Sequence, residues 1–165
     1  MPGVSDVWVL NASPIIALAK IAQLWLLERL ASELIIPEAV AAEILAGPTT
    51  DSARVALETG WGRRMSPTSI PPLLLSWGLG AGETVVLAIG LERQLCAAVL
   101  DDASARMCAH SLGVPLIGTL GIVMRARERG LIPSAAEVVK SLHAAGLHLD
   151  EQTIRAALEN VGERW

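Results

Sequence analysis

Small polar side chains interrupt this sequence at the few places where its apolar runs end. Asn11 and Ser13 follow Val7–Leu10, and Glu38 and Glu43 follow the run that closes at Pro37. Glu83 follows Gly78-Leu-Gly80-Ala-Gly82, Asp101 and Asp102 follow Cys96–Leu100, and Thr119 follows Val114–Ile117. The chain is 52% hydrophobic and 18% charged, so carboxylates brought together in it are costly. Two unit charges ~4 Å apart repel by about 4 kcal/mol at an effective dielectric near 20. A divalent cation offsets that repulsion. Carboxylate, amide and water oxygens favour Mg²⁺ or Mn²⁺ over zinc, so the chemistry to look for is that of an oxygen-ligated divalent metal.

Each of these residues also has a plainer role. Glu83 opens a helix, where the macrodipole favours an acid. Asp101 and Asp102 can form a turn and a helix cap, Ser13 can cap a helix that has Pro14 in its first turn, and Thr119 can cap another. Glu43 can be an exposed helix acid, and Glu38 reads as a first-turn acid. Other groups point less clearly to chemistry. The glycines 78, 80 and 82 follow no strand and do not match GxGxxG, so they serve a turn rather than a phosphate. Cys96 and Cys108 lie on apolar segments and read as core. His143 and His148 straddle Gly146, a poor spacing for two ligands on one helical face, and His110 is isolated. Arg63, Arg64, Arg125, Arg127 and Arg129 can contact a nucleic-acid backbone or simply be solvated. Trp61 and Trp77 can stack on bases or pack under a loop.

The elements that position these residues alternate. Strands are expected at Val7–Leu10, Glu33–Ile36, Cys96–Leu100 and Val114–Ile117, with a further short one at Trp61–Met65. Helices are expected after Pro14, broken near residues 21–23, then over Glu38–Leu45, after Asp51 to Glu58, Glu83–Gln94, Ala103–Leu112, Thr119–Arg129, Ala135–Ala145 and Glu151–Val161. The stretch Ser66–Gly80 reads as loop. Near-continuously apolar strands separated by helices predict a parallel sheet covered on both faces. The fold class is a three-layer α/β/α domain around a central parallel sheet of four or five strands. It spans residues 1–165, with 134–165 as a helical extension packed on it. Right-handed crossovers place the C-terminal ends of all strands, and hence the polar residues above, on one edge of the sheet.

The segments NASPIIALAKI, IPEAVAAEI, GAGETVVLAI, VLDDASAR and IGTLGIVMRARERGLI, in that order, resemble the PIN-domain family of metal-dependent ribonucleases. The likeness is nearest to a prokaryotic branch related to the toxin halves of toxin–antitoxin pairs. It is dense from Val7 to Ile132 and looser beyond. The resemblance implies that the family's acids fall on Asn11, Glu43, Glu83 and Asp101, as catalytic residues and ligands of Mg²⁺ or Mn²⁺. Ser13, Asp102 and Thr119 would support the bound groups. Asn11 departs from the family's acidic set, because its amide oxygen can ligate a cation but brings no charge.

The implied function is a Mg²⁺- or Mn²⁺-dependent endoribonuclease with RNA as substrate, and the resemblance to the toxin branch implies an antitoxin protein as partner. The alternative is a PIN-like module that binds RNA or a protein without efficient cleavage. A phospho-acceptor receiver domain also sets acids and Thr at strand ends. Here, however, the acidic pair comes late and neither Lys20 nor Lys140 follows the final strand. Thirteen basic against seventeen acidic residues give a net charge of −4, so nucleic acid must be met by a local patch. Two cysteines form no disulfide framework and fit a reducing, cytoplasmic setting. The uncharged stretches Met65–Gly82 and Met107–Met124 are interrupted by proline or glycine and predict no membrane span, and the N-terminus lacks the positive region of a secretory leader. The high apolar fraction and the resemblance together predict a homodimer.

Overall fold

A computed structural model describes residues 6–165, so the reading of residues 1–5 lies outside the described residues. In chain order the elements are β1 (Val7–Leu10), α1 (Ala12–Lys20), α2 (Trp25–Leu30), β2 (Glu33–Pro37), α3 (Glu38–Leu45), α4 (Ser52–Glu58), β3 (Arg63–Met65), α5 (Pro72–Leu75), α6 (Ala81–Glu92), β4 (Cys96–Val99), α7 (Ala103–Ser111), β5 (Leu116–Ile117), α8 (Thr119–Glu128), α9 (Ala135–Ala144) and α10 (Glu151–Asn160). The strands form one five-stranded sheet in the order β3-β2-β1-β4-β5, and every pairing is parallel. Helices flank the sheet in a three-layer α/β/α arrangement. Helix α6 lies against β1, β2 and β4, α3 against β2 and β3, and α8 against α2, α9 and α10.

The three inner strands carry the most apolar sequence because they are covered on both faces. Trp8, Val9, Leu10, Ile35, Ile36, Ala98 and Val99 are buried, and Val9 stands level with both Ile35 and Ala98. The edge strands are short, and β3 carries Arg63 and Arg64 outward, which blunts an edge that would otherwise template further pairing. Among the described residues no helix is long and apolar enough to cross a membrane.

Several expectations change. The expected strand Val114–Ile117 is reduced to Leu116–Ile117. The Val114 N–H is used to close α7, donating to the Ala109 carbonyl at 2.8 Å, and Pro115 has no N–H, so the ladder has donors only from Leu116 onward. The expected loop 66–80 contains the short helix α5, started by Pro72 at its first position, where a missing N–H costs nothing. Ser13 and Thr119 are not caps: the caps are Asn11 and Gly118, which places Ser13 and Thr119 inside the first turns. The break near residue 21 is a Schellman closure. Ala22 N–H donates to Ala19 O at 3.1 Å and Gln23 N–H to Leu18 O at 2.9 Å, with Ala22 at φ 56°, where glycine usually stands.

The C-terminal segment is tied down by Glu163. Its carboxylate accepts from Ser134 Oγ at 2.7 Å, Ala135 N at 2.8 Å, Ala136 N at 3.3 Å and Arg127 Nε at 3.2 Å. Burial alone would raise its pKa. The hydrogen bonds from Ser134, Ala135 and Ala136 and the Arg127 charge outweigh that and hold it below the usual carboxylate value. A depressed folded-state pKa contributes stability that is present above the unfolded value, about 4.3, and lost as pH falls through the folded one. Glu163→Ala is therefore expected to cost about 2 kcal/mol near neutral pH. The difference in melting temperature from the parent should shrink below about pH 4. A difference that stays constant from neutral pH down to about pH 3 would refute the charge-assisted clamp.

Candidate metal centre

Strand order reverses between β1 and β4: the chain runs from β1 outward through β2 to β3, then returns to build β4 and β5 on the other side. In open α/β sheets the crevice opens at that reversal, outside the C-terminal ends of the strands. Asn11 stands there immediately after β1, its backbone N–H donating to the Val99 carbonyl at 3.2 Å. This extends the β1–β4 ladder by one step and sets Asn11 and Asp101 at the same end of adjacent strands.

Asn11 is buried, 7% exposed, and occupies the N-cap of α1 without a capping hydrogen bond from its side chain. A capping oxygen accepts from the second or third N–H of its helix. The third residue of α1 is Pro14, which has none. Oδ1 is turned toward α6 instead, where it meets a carboxylate across a glycine. A Cβ placed on Gly82 would lie 2.9 Å from Asn11 Oδ1, 3.3 Å from Glu43 Oε2 and 3.5 Å from Val40 Cγ2. Gly82 thus lets α6 approach α1 and α3 closely enough for an amide oxygen and a carboxylate to converge. Glu83, half-buried in the first turn of α6, folds back over Gly80: its Oε2 would be 2.5 Å from a Cβ there. Asn11, Ser13, Glu43, Gly80, Gly82 and Glu83 line one cleft of about 690 Å³.

Asp101 lies across the reversal and lines a neighbouring depression with Arg106 and Gly118. Its carboxylate is fixed by Thr119, which donates its N–H to Oδ1 at 2.8 Å and its hydroxyl to Oδ2 at 2.6 Å. The buried Thr119 thus acts on Asp101 rather than on its own helix. Asp102 turns away and caps α7 through the Ala105 N–H at 2.9 Å. Glu38 pairs with Arg64 at 3.8 Å, outside the cleft. Among the described residues no three His, Cys, Asp or Glu side chains form a group close enough to hold a metal ion by themselves. Asn11 Oδ1 and Glu43 Oε2 flank Gly82, Glu83 lines the same cleft, and Asp101 lines the neighbouring depression. The donors are all oxygen, and the pocket at Gly82 is one that a single methyl group would fill. Both properties suit a small hard cation such as Mg²⁺ or Mn²⁺.

The remaining candidates lie elsewhere. Arg63 pairs with Glu33 at 2.8 Å and Arg127 with Glu163, while Arg125 stacks over the Trp8 ring at 6.0 Å. Trp61 donates its Nε1–H to Glu28 at 2.6 Å, and Trp77 packs against the core. Burial pushes the Cys96 and Cys108 thiols up, the reverse of an activated nucleophile. His143 and His148 do meet, their rings edge to face at 4.9 Å, because the chain doubles back at Gly146 rather than continuing a helix. Two neighbours of the site carried no sequence signal. Arg106 donates from Nη1 to the Leu100 carbonyl at 3.0 Å, beside Asp101. Lys20 and the turn 145–147 flank Glu43, a contact between segments far apart in sequence.

A family model described as PIN domain matches residues 7–163. No curated protein matches the chain.

Proposed function

The chain belongs to the PIN-domain family, whose members are generally nucleases that use divalent metals, and from that premise we propose that it is a Mg²⁺- or Mn²⁺-dependent endoribonuclease. The observation that carries the proposal is the convergence of Asn11 Oδ1 and Glu43 Oε2 on Gly82 at the reversal of strand order, with Glu83 in the same cleft. Asn11, Glu43, Glu83 and Asp101 are the residues that would hold the metal. A divalent ion bound there supplies a nucleophile at neutral pH and offsets charge developing on the phosphodiester.

The protein's own groups do the positioning. Thr119 uses both donors to lock the Asp101 carboxylate in one orientation. Asn11 makes no capping bond to its helix, where Pro14 at the third position offers no N–H. Ser13, exposed on the rim, can donate to a substrate phosphate oxygen. The acids leave the cleft negative, so a polyanion approaches it against repulsion until a cation is present, and this makes binding as well as cleavage metal-dependent.

Cleavage of a labelled single-stranded RNA by the purified protein should vanish in EDTA and return with Mg²⁺ or Mn²⁺. Cleavage that survives chelation would overturn the metal mechanism. RNA bound without cleavage under any divalent ion would favour the binding-module reading, for which the neutral Asn11 is the specific support. The likeness to a toxin branch extends the proposal to a toxin restrained by an antitoxin. The product of a gene immediately upstream should then suppress the cleavage, and its failure to do so would remove the extension.

A further inference from the structure

A second cavity, of about 270 Å³, shares Ser13 and Glu43 with the cleft just described and continues it toward Ile16, Ala17, Lys20 and the turn 145–147. The two form one groove, with Gly80–Glu83 at one end and Lys20 at the other. Its charge is unevenly arranged: Glu43 and Glu83 lie on the cleft side, and Lys20 is the one lysine or arginine that lines either cavity among the described residues. Lys20 is exposed in the last turn of α1 and makes no ion pair among the described residues. The other lysine, Lys140, is paired with Glu137 at 3.3 Å.

The far wall is preformed. Helix α9 closes through Gly146 N–H to His143 O at 3.1 Å and Leu147 N–H to Leu142 O at 3.0 Å, with Gly146 at φ 106°. The His143 ring is held between His148 and Trp165. The recess therefore offers apolar walls from Ile16, Ala17 and Leu147, and a single unpartnered ammonium at its mouth.

We propose that this recess is a nucleotide subsite of the groove, in which Lys20 holds a backbone phosphate next to the one at the acidic cleft while Ile16, Ala17 and Leu147 receive the adjoining nucleoside. The inference rests on the endoribonuclease reading and names where its substrate strand runs. An ammonium is the expected partner for one phosphate of a single strand, and the apolar walls take a base or sugar face without reading its edges. Contact there is consequently indifferent to sequence.

The test measures binding of a fluorescent single-stranded RNA decamer in Mg²⁺ between 50 and 200 mM salt. Asp101→Asn is the parent, so that the strand is not consumed. One phosphate contact contributes about 0.7 to the slope of log affinity against log salt. Adding Lys20→Gln should make the slope shallower by that amount, weakening binding about 8-fold at 50 mM and about 3-fold at 200 mM. Lys20→Arg should keep the parent slope. Lys140→Gln, with the same change in net charge, should alter neither. A parent-like slope in Lys20→Gln, or equal effects of Lys20→Gln and Lys140→Gln, would overturn the subsite and leave the endoribonuclease reading standing. Failure of both this parent and the unsubstituted protein to bind the decamer in Mg²⁺, with no cleavage by the latter, would overturn both.

Discussion

Asp101→Asn is expected to lower RNA cleavage by about 10²–10³-fold, the effect of deleting one oriented electrostatic group from a site that stabilises developing charge. The fold should survive it. Asn keeps an oxygen to accept the Thr119 N–H, and its amide can donate to the Thr119 hydroxyl, which now accepts where it formerly donated. What is lost is the charge assistance of two hydrogen bonds, about 1–2 kcal/mol, or a few degrees of melting temperature. Single-turnover cleavage and a melting curve on the same preparation separate the effects. Unimpaired cleavage in a folded Asp101→Asn protein would remove Asp101 from the site.

Gly82→Ala should uncouple stability from metal response. The backbone at Gly82 is not in the left-handed region, and alanine is favoured over glycine in a helix by about 1 kcal/mol, less near a helix start. That gain is offset by overpacking, because the buried Asn11 amide must shift to admit the methyl, so the metal-free protein should melt at or a few degrees below the parent temperature. The added methyl would sit 2.9 Å from Asn11 Oδ1 and 3.3 Å from Glu43 Oε2, filling the space where those oxygens converge. The rise in melting temperature on adding Mg²⁺, which reports binding to the folded state, should be lost, and cleavage should fall by about 10–100-fold. A Gly82→Ala protein that keeps the parent's Mg²⁺-induced shift would show that the cation does not use this convergence.

Much of this arrangement is written locally in the sequence. The runs VWVL, ELIIP and CAAV mark the three inner strands because a strand buried on both faces has no polar alternation to confuse it. Asp51 and Asp102 announce the helices that they cap. Asp101 is legible because it follows β4 directly, whereas Glu43 and Glu83 lie inside helices and are marked by the resemblance. The hidden parts are those in which a residue serves a distant one. Thr119 reads as a cap but holds Asp101, and Asn11 stands at the N-cap of α1 without capping it, a place the sequence suggests for Ser13. Gly82 reads as turn material, yet it is the contact point of three helices. Strand β5 was overextended because Val114 is as apolar as a strand residue, while its N–H belongs to the preceding helix. Nothing near Lys20 in sequence reveals that residues 145–147 stand beside it.

The reversal of strand order between β1 and β4 has a consequence for inheritance. The crevice there is produced by the path of the chain, and the residues that shape the path are the buried Val9, Leu10, Ala98 and Val99. Glu43 and Ser13 are exposed and Glu83 is only half-buried, so replacing them removes little packing, and such changes usually alter stability by about 0.5 kcal/mol or less. Selection for folding therefore does not protect the acids. A lineage freed from the need to cleave would keep the sheet, the crevice and the Gly82 contact while its exposed carboxylates drifted one at a time.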